Sequence, residues 1–232
     1  MSEKTKSEGV AVEPAPKRKK PLVVAAVVAV VLVVAGAGFW VWHEQPSFCG
    51  AICHVSMDSY LPTYESNPGS EGVDKWGNTV SDSSAMLAPV HRVQGIGCTG
   101  CHVPVIGEQI SEGLEWVTGN YTVISTGDGS YALEERGLDE LVAARGVASE
   151  QFCLRSGCHV TANGDVMTRD DLIAATSDRA RNPHVQQHGE VACSECHKAH
   201  RASTVYCSKC HSDTEIPEGW LDYSEAQQLA EN

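Results

Sequence analysis

Ten cysteines form five local pairs, and the second cysteine of every pair is followed directly by a histidine. Three pairs have the spacing Cys-x-x-Cys-His, while the first pair has one additional residue and the third has two. The sets are Cys49, Cys53 and His54; Cys98, Cys101 and His102; Cys153, Cys158 and His159; Cys193, Cys196 and His197; and Cys207, Cys210 and His211. Two thiols a short turn apart can form thioethers with the vinyl groups of one haem, and the adjacent histidine then ligates the iron. The pattern predicts five covalently bound haems c.

Two other chemistries use paired cysteines. A disulfide framework suits an exported chain with an even cysteine count, but it has no use for a histidine after every second cysteine. Zinc ribbons use Cys-x-x-Cys knuckles, but residues 49–101 offer only isolated pairs, so the groupings would be irregular. Aromatic residues are only 6% of the chain. This low content favours haem, because the haems would supply flat apolar surface to a core short of large side chains.

Five further histidines are candidates for the second axial position of each iron, because a low-spin electron-transfer haem takes two strong ligands. His91, His184, His188 and His200 each lie close in sequence to an attachment motif. Met57 follows the first motif, and a thioether ligand would raise the reduction potential of that haem. His43 precedes the first motif. Its position is consistent with three roles: an iron ligand, a proton acceptor and a residue at the membrane interface.

The N-terminal region predicts a membrane anchor. Residues 22–42 carry no charge and follow four adjacent cations, Lys17 to Lys20. This apolar run matches the roughly 30 Å hydrocarbon thickness of a bilayer, and the cations predict a cytoplasmic N-terminus. A cleaved signal peptide with Ala35-Gly36-Ala37 as its site is the alternative, but the run exceeds the usual apolar region of such peptides. We therefore expect a single-pass protein of the cytoplasmic membrane whose haem domain is extracytoplasmic.

The net charge is −13, and because the first twenty residues are basic, the rest of the chain is more acidic still. An acidic head disfavours nucleic-acid binding. The sequence predicts a mainly α fold with extensive loops. Its expected parts are a basic tail (1–20), the anchor (21–42), a pentahaem domain (43–216) and a C-terminal tail (217–232).

Helical periodicity outside the motifs is clearest in residues 133–146, ending near Gly146. A second helix is expected from Val166 to Arg181 with Asp165 as its N-cap, and a third from Glu108 to Val117. No strand is expected. Residues 58–90 are rich in Ser, Gly, Pro and Asn, which predicts a surface loop.

The chain resembles the NapC/NirT family of membrane-anchored multihaem quinol dehydrogenases over roughly residues 17–200. The resemblance rests on FCGAICHVSM directly after the apolar run, on CHVP followed by EWVTGNY, and on His184 ahead of CSECHKAH. It implies that the first haem lies at the membrane surface, has Met57 as a ligand and accepts electrons from menaquinol or ubiquinol. It also implies that His91, His184 and His200 are distal ligands, and that the reductase receiving the electrons is a separate extracytoplasmic protein.

Two departures from that family are visible. The spacing around the first motif is longer than usual, so the choice between His54 and Met57 stays open. The fifth motif lies beyond the common four-haem core and is interpreted as an exit haem.

Quinol oxidation releases protons as well as electrons, so an acceptor must lie near the first haem. Glu112, Glu115, Asp58 and His43 are the candidates. Menaquinol is the expected substrate, because mainly histidine ligands imply low potentials.

Three functions remain distinct: a quinol-to-reductase conduit, a terminal multihaem reductase with one open iron, and a zinc or disulfide interaction module. The number of candidate distal ligands favours the conduit. The expected partners are menaquinol, a reductase and the lipid bilayer, and self-association into a homo-oligomer stays open.

Overall fold

The computed structural model describes residues 20–52, 57–103, 105–125, 131–133, 137–143, 147 and 149–231. The chain divides into two compact units, residues 1–42 and 43–232, which we call the N-terminal unit and the head. Each is described by itself. The basic tail predicted for residues 1–20 lies outside the described residues except for Lys20.

The apolar run forms one continuous helix, α1 (Lys20–His43). None of its residues is buried, and its mean hydropathy reaches 2.9 over an 18-residue window. Its side chains are apolar all round, so it has no polar face to turn to water. Helix α1 is therefore long and apolar enough to cross a membrane, as the sequence predicts.

The head is built mainly from short helices separated by loops, which confirms the predicted fold class. Its described helices are α2 (Pro46–Ile52), α3 (Leu61–Glu65), α4 (Leu87–Val93), α5 (Cys98–Cys101), α6 (Ile106–Thr118), α7 (Leu138–Ala143), α8 (Ser149–Cys153), α9 (Arg169–Ala175), α10 (Cys193–Cys196) and α11 (Tyr223–Glu231). Two 3₁₀ helices cover Ser83–Ala85 and Tyr206–Lys209.

The helix expected at Glu108–Val117 is confirmed as α6, which ends at Gly119 in the left-handed region. The helix expected over 133–146 is shorter. Leu133 lies in a strand, α7 covers only Leu138–Ala143, and Gly146 is outside the described residues.

The helix expected at 166–181 is also shorter, because the turn before it competes for its first residues. The Thr161 N–H donates to the Asp165 carbonyl at 2.7 Å, and Val166 bridges to Val160. Asp165 is therefore not the N-cap. Thr168 caps α9 instead, in a reciprocal capping box with Asp171.

The expectation of no strand is wrong, since three two-stranded sheets are present in the described residues. Antiparallel pairs join β1 (Gly72–Val73) to β2 (Thr79–Val80), and β3 (Val123–Ser125) to β4 (Tyr131–Leu133). A parallel pair joins β5 (Thr204–Val205) to β6 (Leu221–Asp222). These strands are two or three residues long, which is too short for a period-2 pattern to appear in the sequence.

Residues 58–90 are not a surface loop, and this prediction is also wrong. Val80, Ala85 and Met86 of this segment are buried in one cluster with Ala202, and Trp220 and Leu221 pack against it. The residues classed as a C-terminal tail, 217–231, thus belong to the same compact unit as the haem motifs. Small polar residues are also buried in this part of the head, and the buried Ser203 Oγ accepts from the Lys198 N–H at 3.1 Å.

Candidate haem-binding sites

The three regular motifs share one backbone geometry. In each, the N–H of the histidine donates to the carbonyl of the first cysteine, closing a single helical turn around both cysteines. The distances are 2.8 Å for His102 to Cys98, 2.9 Å for His197 to Cys193 and 3.0 Å for His211 to Cys207. Both thiols and the imidazole are therefore carried by one turn, as attachment to one porphyrin requires.

The third motif has two additional residues but keeps the same closure. The His159 N–H approaches the Cys153 carbonyl at 3.4 Å, while the additional residues form a turn closed by the Cys158 N–H to the Arg155 carbonyl at 3.0 Å. Gly157 adopts φ +79° in this turn, a conformation that glycine enters without steric cost. The turn formed by the additional residues thus lets the His159 N–H reach the carbonyl of the first cysteine, as in the regular motifs.

The first motif is described only in part. Cys49 lies on α2, whereas Cys53 and His54 are outside the described residues. Met57 is half-buried, and its carbonyl accepts the Tyr60 N–H at 3.0 Å. These positions do not decide whether His54 or Met57 ligates the first iron, so that choice stays open as it does in the sequence.

Each of the four other motif histidines faces one of the histidines predicted as distal ligands. We name these the imidazole pairs. The ring-centroid distances are 6.4 Å for His102 and His200, 6.1 Å for His159 and His91, 6.5 Å for His197 and His184, and 6.1 Å for His211 and His188.

These distances fit an iron ligated on both faces. With metal–imidazole bonds of about 2 Å, and roughly 1.1 Å from the ligating nitrogen to its ring centroid, two axial imidazoles have centroids about 6.3 Å apart. All four measured distances lie within a few tenths of an ångström of that value. The residues present therefore fit c-type haem at these four motifs.

Hydrogen bonds at Nδ1 orient three of the distal candidates. The Nδ1 atom lies 2.8 Å from the Leu87 carbonyl in His91, 2.7 Å from Thr63 Oγ1 in His200, and 3.0 Å from Thr176 Oγ1 in His184. A carbonyl only accepts, so His91 carries its proton on Nδ1.

The two threonine contacts lead to the same tautomer. Thr63 Oγ1 donates to the Tyr60 carbonyl at 2.8 Å, and Thr176 Oγ1 donates to the Leu172 carbonyl at 2.8 Å. Each hydroxyl proton is thereby used, so the oxygen accepts from the imidazole. In all three histidines Nε2 is left without a proton and is available to a metal, which is the usual role of such outer-shell partners.

Burial favours the neutral form of four of the paired imidazoles, which is the form that metal ligation requires. Burial, together with the facing His102, lowers the pKa of His200 to about 3. Burial also lowers the pKa values of His159, His184 and His197.

Cysteines of consecutive motifs lie beside one another. The Cys49 thiol lies close enough to the Cys98 thiol for the two to interact, and the same holds for the thiols of Cys153 and Cys193. Cys101 lies close enough to Cys158 for their charges to interact, and the same holds for Cys196 and Cys207. The five motifs thus follow one another in space in their sequence order.

The competing cysteine chemistries receive no support from the described residues. Within that part of the chain no cysteine forms a disulfide, and no group of three or more His, Cys, Asp or Glu side chains is arranged to hold a metal ion.

The proton-acceptor candidates occupy different positions. The His43 side chain is 19% exposed, lies 4.9 Å from the Phe48 ring and approaches Glu44 at 3.5 Å. Glu112 and Glu115 lie on α6 and are exposed, as is Asp58. Only His43 of these four is largely enclosed by the head.

Sequence reasoning missed the hydrogen-bond acceptors Thr63, Thr176 and the Leu87 carbonyl. The carbonyl has a local signal, because it lies one helical turn before His91. Thr63 has none, since it meets His200 only through the tertiary fold.

Comparison with known proteins agrees with this geometry. The chain is 57% identical over 218 residues, covering 94% of both chains, to the cytochrome c-type protein Cgr1 of Eggerthella lenta. The chain belongs to the Cgr1 family of c-type cytochromes. Residues 140–212 of this Cgr1-family chain also match the cytochrome c3 family, and this region contains the third, fourth and fifth motifs. No solved structure matches the chain.

The family fixes the cofactor. Cytochromes of this type bind haem c covalently, so this Cgr1-family chain carries haem c and transfers electrons, and its Cys-His motifs are the candidate attachment sites. We number these sites 1 to 5 in sequence order.

Proposed function

We propose that this chain is a membrane-anchored pentahaem cytochrome of the NapC/NirT type. It oxidises menaquinol at site 1 and passes the electrons through sites 2 to 5 to a separate extracytoplasmic reductase. The observation that carries the proposal is the set of imidazole pairs, because two strong axial ligands at the four sites 2 to 5 suit electron transfer and leave no position there for a substrate.

The pairs assign ligands to the four described sites. His102 and His200 hold the haem of site 2, and His159 and His91 that of site 3. Site 4 uses His197 and His184, and site 5 uses His211 and His188. At site 1 the choice between His54 and Met57 as the iron ligand stays open.

Haem c, when bound, supplies one-electron chemistry, and the polypeptide supplies attachment, orientation and electrostatics. The cysteines hold the ring so that little protein is needed around it. Thr63, Thr176 and the Leu87 carbonyl hold the Nδ1 protons of three distal histidines. These contacts fix Nε2 toward the metal and increase its basicity, which favours a low reduction potential.

Quinol chemistry belongs at site 1 because of its position in the chain. Cys49 follows the end of α1 by six residues, so site 1 is tethered to the candidate membrane span. The four adjacent cations that end at Lys20, the first residue of α1, favour a cytoplasmic N-terminus, which puts the head on the opposite side of the membrane.

His43 is the proton acceptor that the structure favours. It is largely enclosed, adjoins Phe48 and precedes Cys49 by six residues. Glu112 and Glu115 are solvent-exposed, so water competes with them for a proton from a lipid-dissolved quinol.

The deciding experiment uses the full-length holoprotein in nanodiscs, mixed with a reduced menaquinone analogue. We expect the α-band absorbance of all five haems to rise to the level reached with dithionite. Before the quinol is added, the oxidised protein should give low-spin electron paramagnetic resonance signals from sites 2 to 5. Intact mass should exceed the polypeptide mass by five haems. A holoprotein that dithionite reduces and the quinol does not would refute the quinol assignment. A high-spin signal from sites 2 to 5 would instead favour a terminal reductase.

A matched pair of variants tests His43. We expect His43→Gln to slow reduction by quinol at neutral pH without changing reduction by dithionite, and Glu115→Gln to leave both rates unchanged. The reverse result would transfer the proton-acceptor role to Glu115.

A further inference from the structure

Helix α6 exposes a row of large apolar side chains. Ile106 is 76% exposed, Ile110 60%, Leu114 62% and Val117 73%. We call these four residues the α6 stripe. Side chains of this kind are normally turned into a core, and contiguous apolar surface left outside usually marks an interaction site.

The stripe is confined to one side of the helix. At about 100° of rotation per residue, its four members fall within roughly a quarter of the circumference. Glu108, Glu112 and Glu115 lie on the opposite side by the same count. The helix is thus amphipathic with its apolar side outward, the reverse of a helix that packs on a soluble core.

The head ties this region to the residue at which α1 ends. Gln109, in the first turns of α6, approaches the His43 imidazole with Nε2 to Nε2 at 3.4 Å. Thr99, in the preceding helix α5, donates to the Glu44 carboxylate at 2.7 Å. His43 is both the last residue of α1 and the first residue of the head, so α6 begins beside the point where the chain leaves its candidate membrane span.

We propose that the α6 stripe docks into the interfacial layer of the same lipid bilayer that α1 crosses. The length and exposure of the stripe suit a helix lying in the membrane plane, with its apolar side among the acyl chains and the exposed Glu112 and Glu115 directed to water. Helix α6 contains no Lys or Arg. The tether to α1 and apolar burial, rather than attraction to anionic headgroups, therefore hold it, and a zwitterionic bilayer suffices.

This docking rests on the membrane anchoring proposed above and extends it to the head. It fixes the orientation of the head by a second contact, so that the His43 region faces the lipid from which a quinol would come. A single flexible tether would leave that orientation free.

Photocrosslinking of the full-length holoprotein tests the docking. The photoreactive residue p-benzoylphenylalanine is placed at Leu114 in the stripe, at Glu112 on the opposite side of the same helix, or at Leu32 within α1. Each variant is reconstituted singly into phosphatidylcholine nanodiscs, irradiated and analysed by mass spectrometry. The visible spectrum before irradiation checks that haem attachment is intact.

We expect phospholipid adducts at positions 32 and 114, and a several-fold smaller yield at position 112. Adducts at 32 with none at 114 would overturn the docking and leave the anchor standing. Absence of adducts at both positions would refute anchoring and docking together. An adduct of position 114 with a porphyrin or with a second copy of the chain would show that haem or a dimer covers the stripe, and would also overturn the proposal.

Discussion

Individual side chains decide which nitrogen of each distal histidine is free to bind iron. His200 illustrates this. The oxygen of the buried Thr63 hydroxyl accepts a hydrogen bond from the Nδ1–H of His200, and the same hydroxyl donates a hydrogen bond to the Tyr60 carbonyl. The Thr63 hydroxyl thus acts both as a donor and as an acceptor, at a position that is fully buried. Removal of that oxygen should therefore affect the fold and the cofactor together.

The first prediction concerns Thr63, which is fully buried. Thr63→Val leaves the Nδ1–H of His200 without its acceptor, while the Tyr60 carbonyl keeps the bond from the Tyr64 N–H. The unpaired imidazole N–H should lower the free energy of unfolding by roughly 1–3 kcal/mol. Loss of the Nδ1 acceptor also reduces the basicity of Nε2, so the potential of one haem should rise. Chemical denaturation and spectropotentiometry measure the two effects. Thr63→Ser keeps the oxygen and should retain most of both properties; equal behaviour of the Val and Ser variants would contradict the assignment.

The second prediction tests the pairing of His91. In sequence His91 lies nearest to site 2, whereas in the structure it faces His159 of site 3 at 6.1 Å. His91→Ala should convert one haem from low to high spin, because an imidazole ligand is lost. The double variant His91→Ala/His159→Ala should still perturb only one haem, since both ligands belong to one site.

The control for that prediction is the double variant His91→Ala/His102→Ala, which should perturb two haems. Spin counting by electron paramagnetic resonance gives the number in each case. If His91 served site 2, the two double variants would exchange their results.

Much of the ligand chemistry could be predicted at this scale. His91, His184, His188 and His200 were identified from stoichiometry, and each lies opposite a motif histidine. The partner of each could not be identified, because His102 meets His200 from far along the chain. Sequence proximity is a poor guide where a folded head brings distant segments to one iron.

At the scale of secondary structure, the motifs are small helical turns whose closure tolerates insertion. The third motif shows this, since its additional residues leave the contact between the His159 N–H and the Cys153 carbonyl in place. Tolerance depends on a single left-handed residue, Gly157.

The third prediction concerns Gly157→Ala. A Cβ at this position would meet no atom within 4 Å, so its effect comes from the backbone alone. A left-handed alanine costs about 1–2 kcal/mol, which should destabilise the turn and lower the fraction of chains with haem at site 3. Intact mass spectrometry measures that fraction. Gly164→Ala, with φ +88° and equally open space, should cost a similar stability while leaving haem content unchanged; equal haem loss in both variants would contradict the role of the motif turn.

The misread segment 58–90 shows why element packing was less predictable than chemistry. Its turn-forming composition correctly indicates tight turns, but burial comes from Ala202 and Trp220, far along the chain. The helix at Glu108–Val117 was predicted, but a helical prediction does not say whether the apolar side of α6 faces a core or a membrane. Neighbouring residues in the sequence determine turns and helical periodicity. The residues that pack on a given surface are distant in the sequence, so the local pattern does not identify them.

At the scale of the whole molecule, the order of the sites determines what the protein can do. Cysteines of sites 1 and 2, 2 and 3, 3 and 4, and 4 and 5 lie close enough to influence one another electrostatically, which follows the sequence order. A linear order makes every intermediate site necessary for transfer between the ends. It also gives the two terminal sites different roles, with site 1 near the anchor and site 5 farthest along the chain.

The fourth prediction compares two variants, one that lacks a site in the middle of the series and one that lacks the site at its end. Cys153→Ser/Cys158→Ser eliminates the thioethers of site 3, so sites 4 and 5 should lose their connection to site 1. Stopped-flow mixing with a menaquinol analogue should then reduce sites 1 and 2 at the normal rate and the remaining sites far more slowly, although dithionite still reduces them all. Cys207→Ser/Cys210→Ser removes site 5 alone and should leave the other four reduced at the normal rate. Because a branched arrangement would let electrons bypass site 3, unchanged reduction of sites 4 and 5 in the first variant would show that the sites do not act in series.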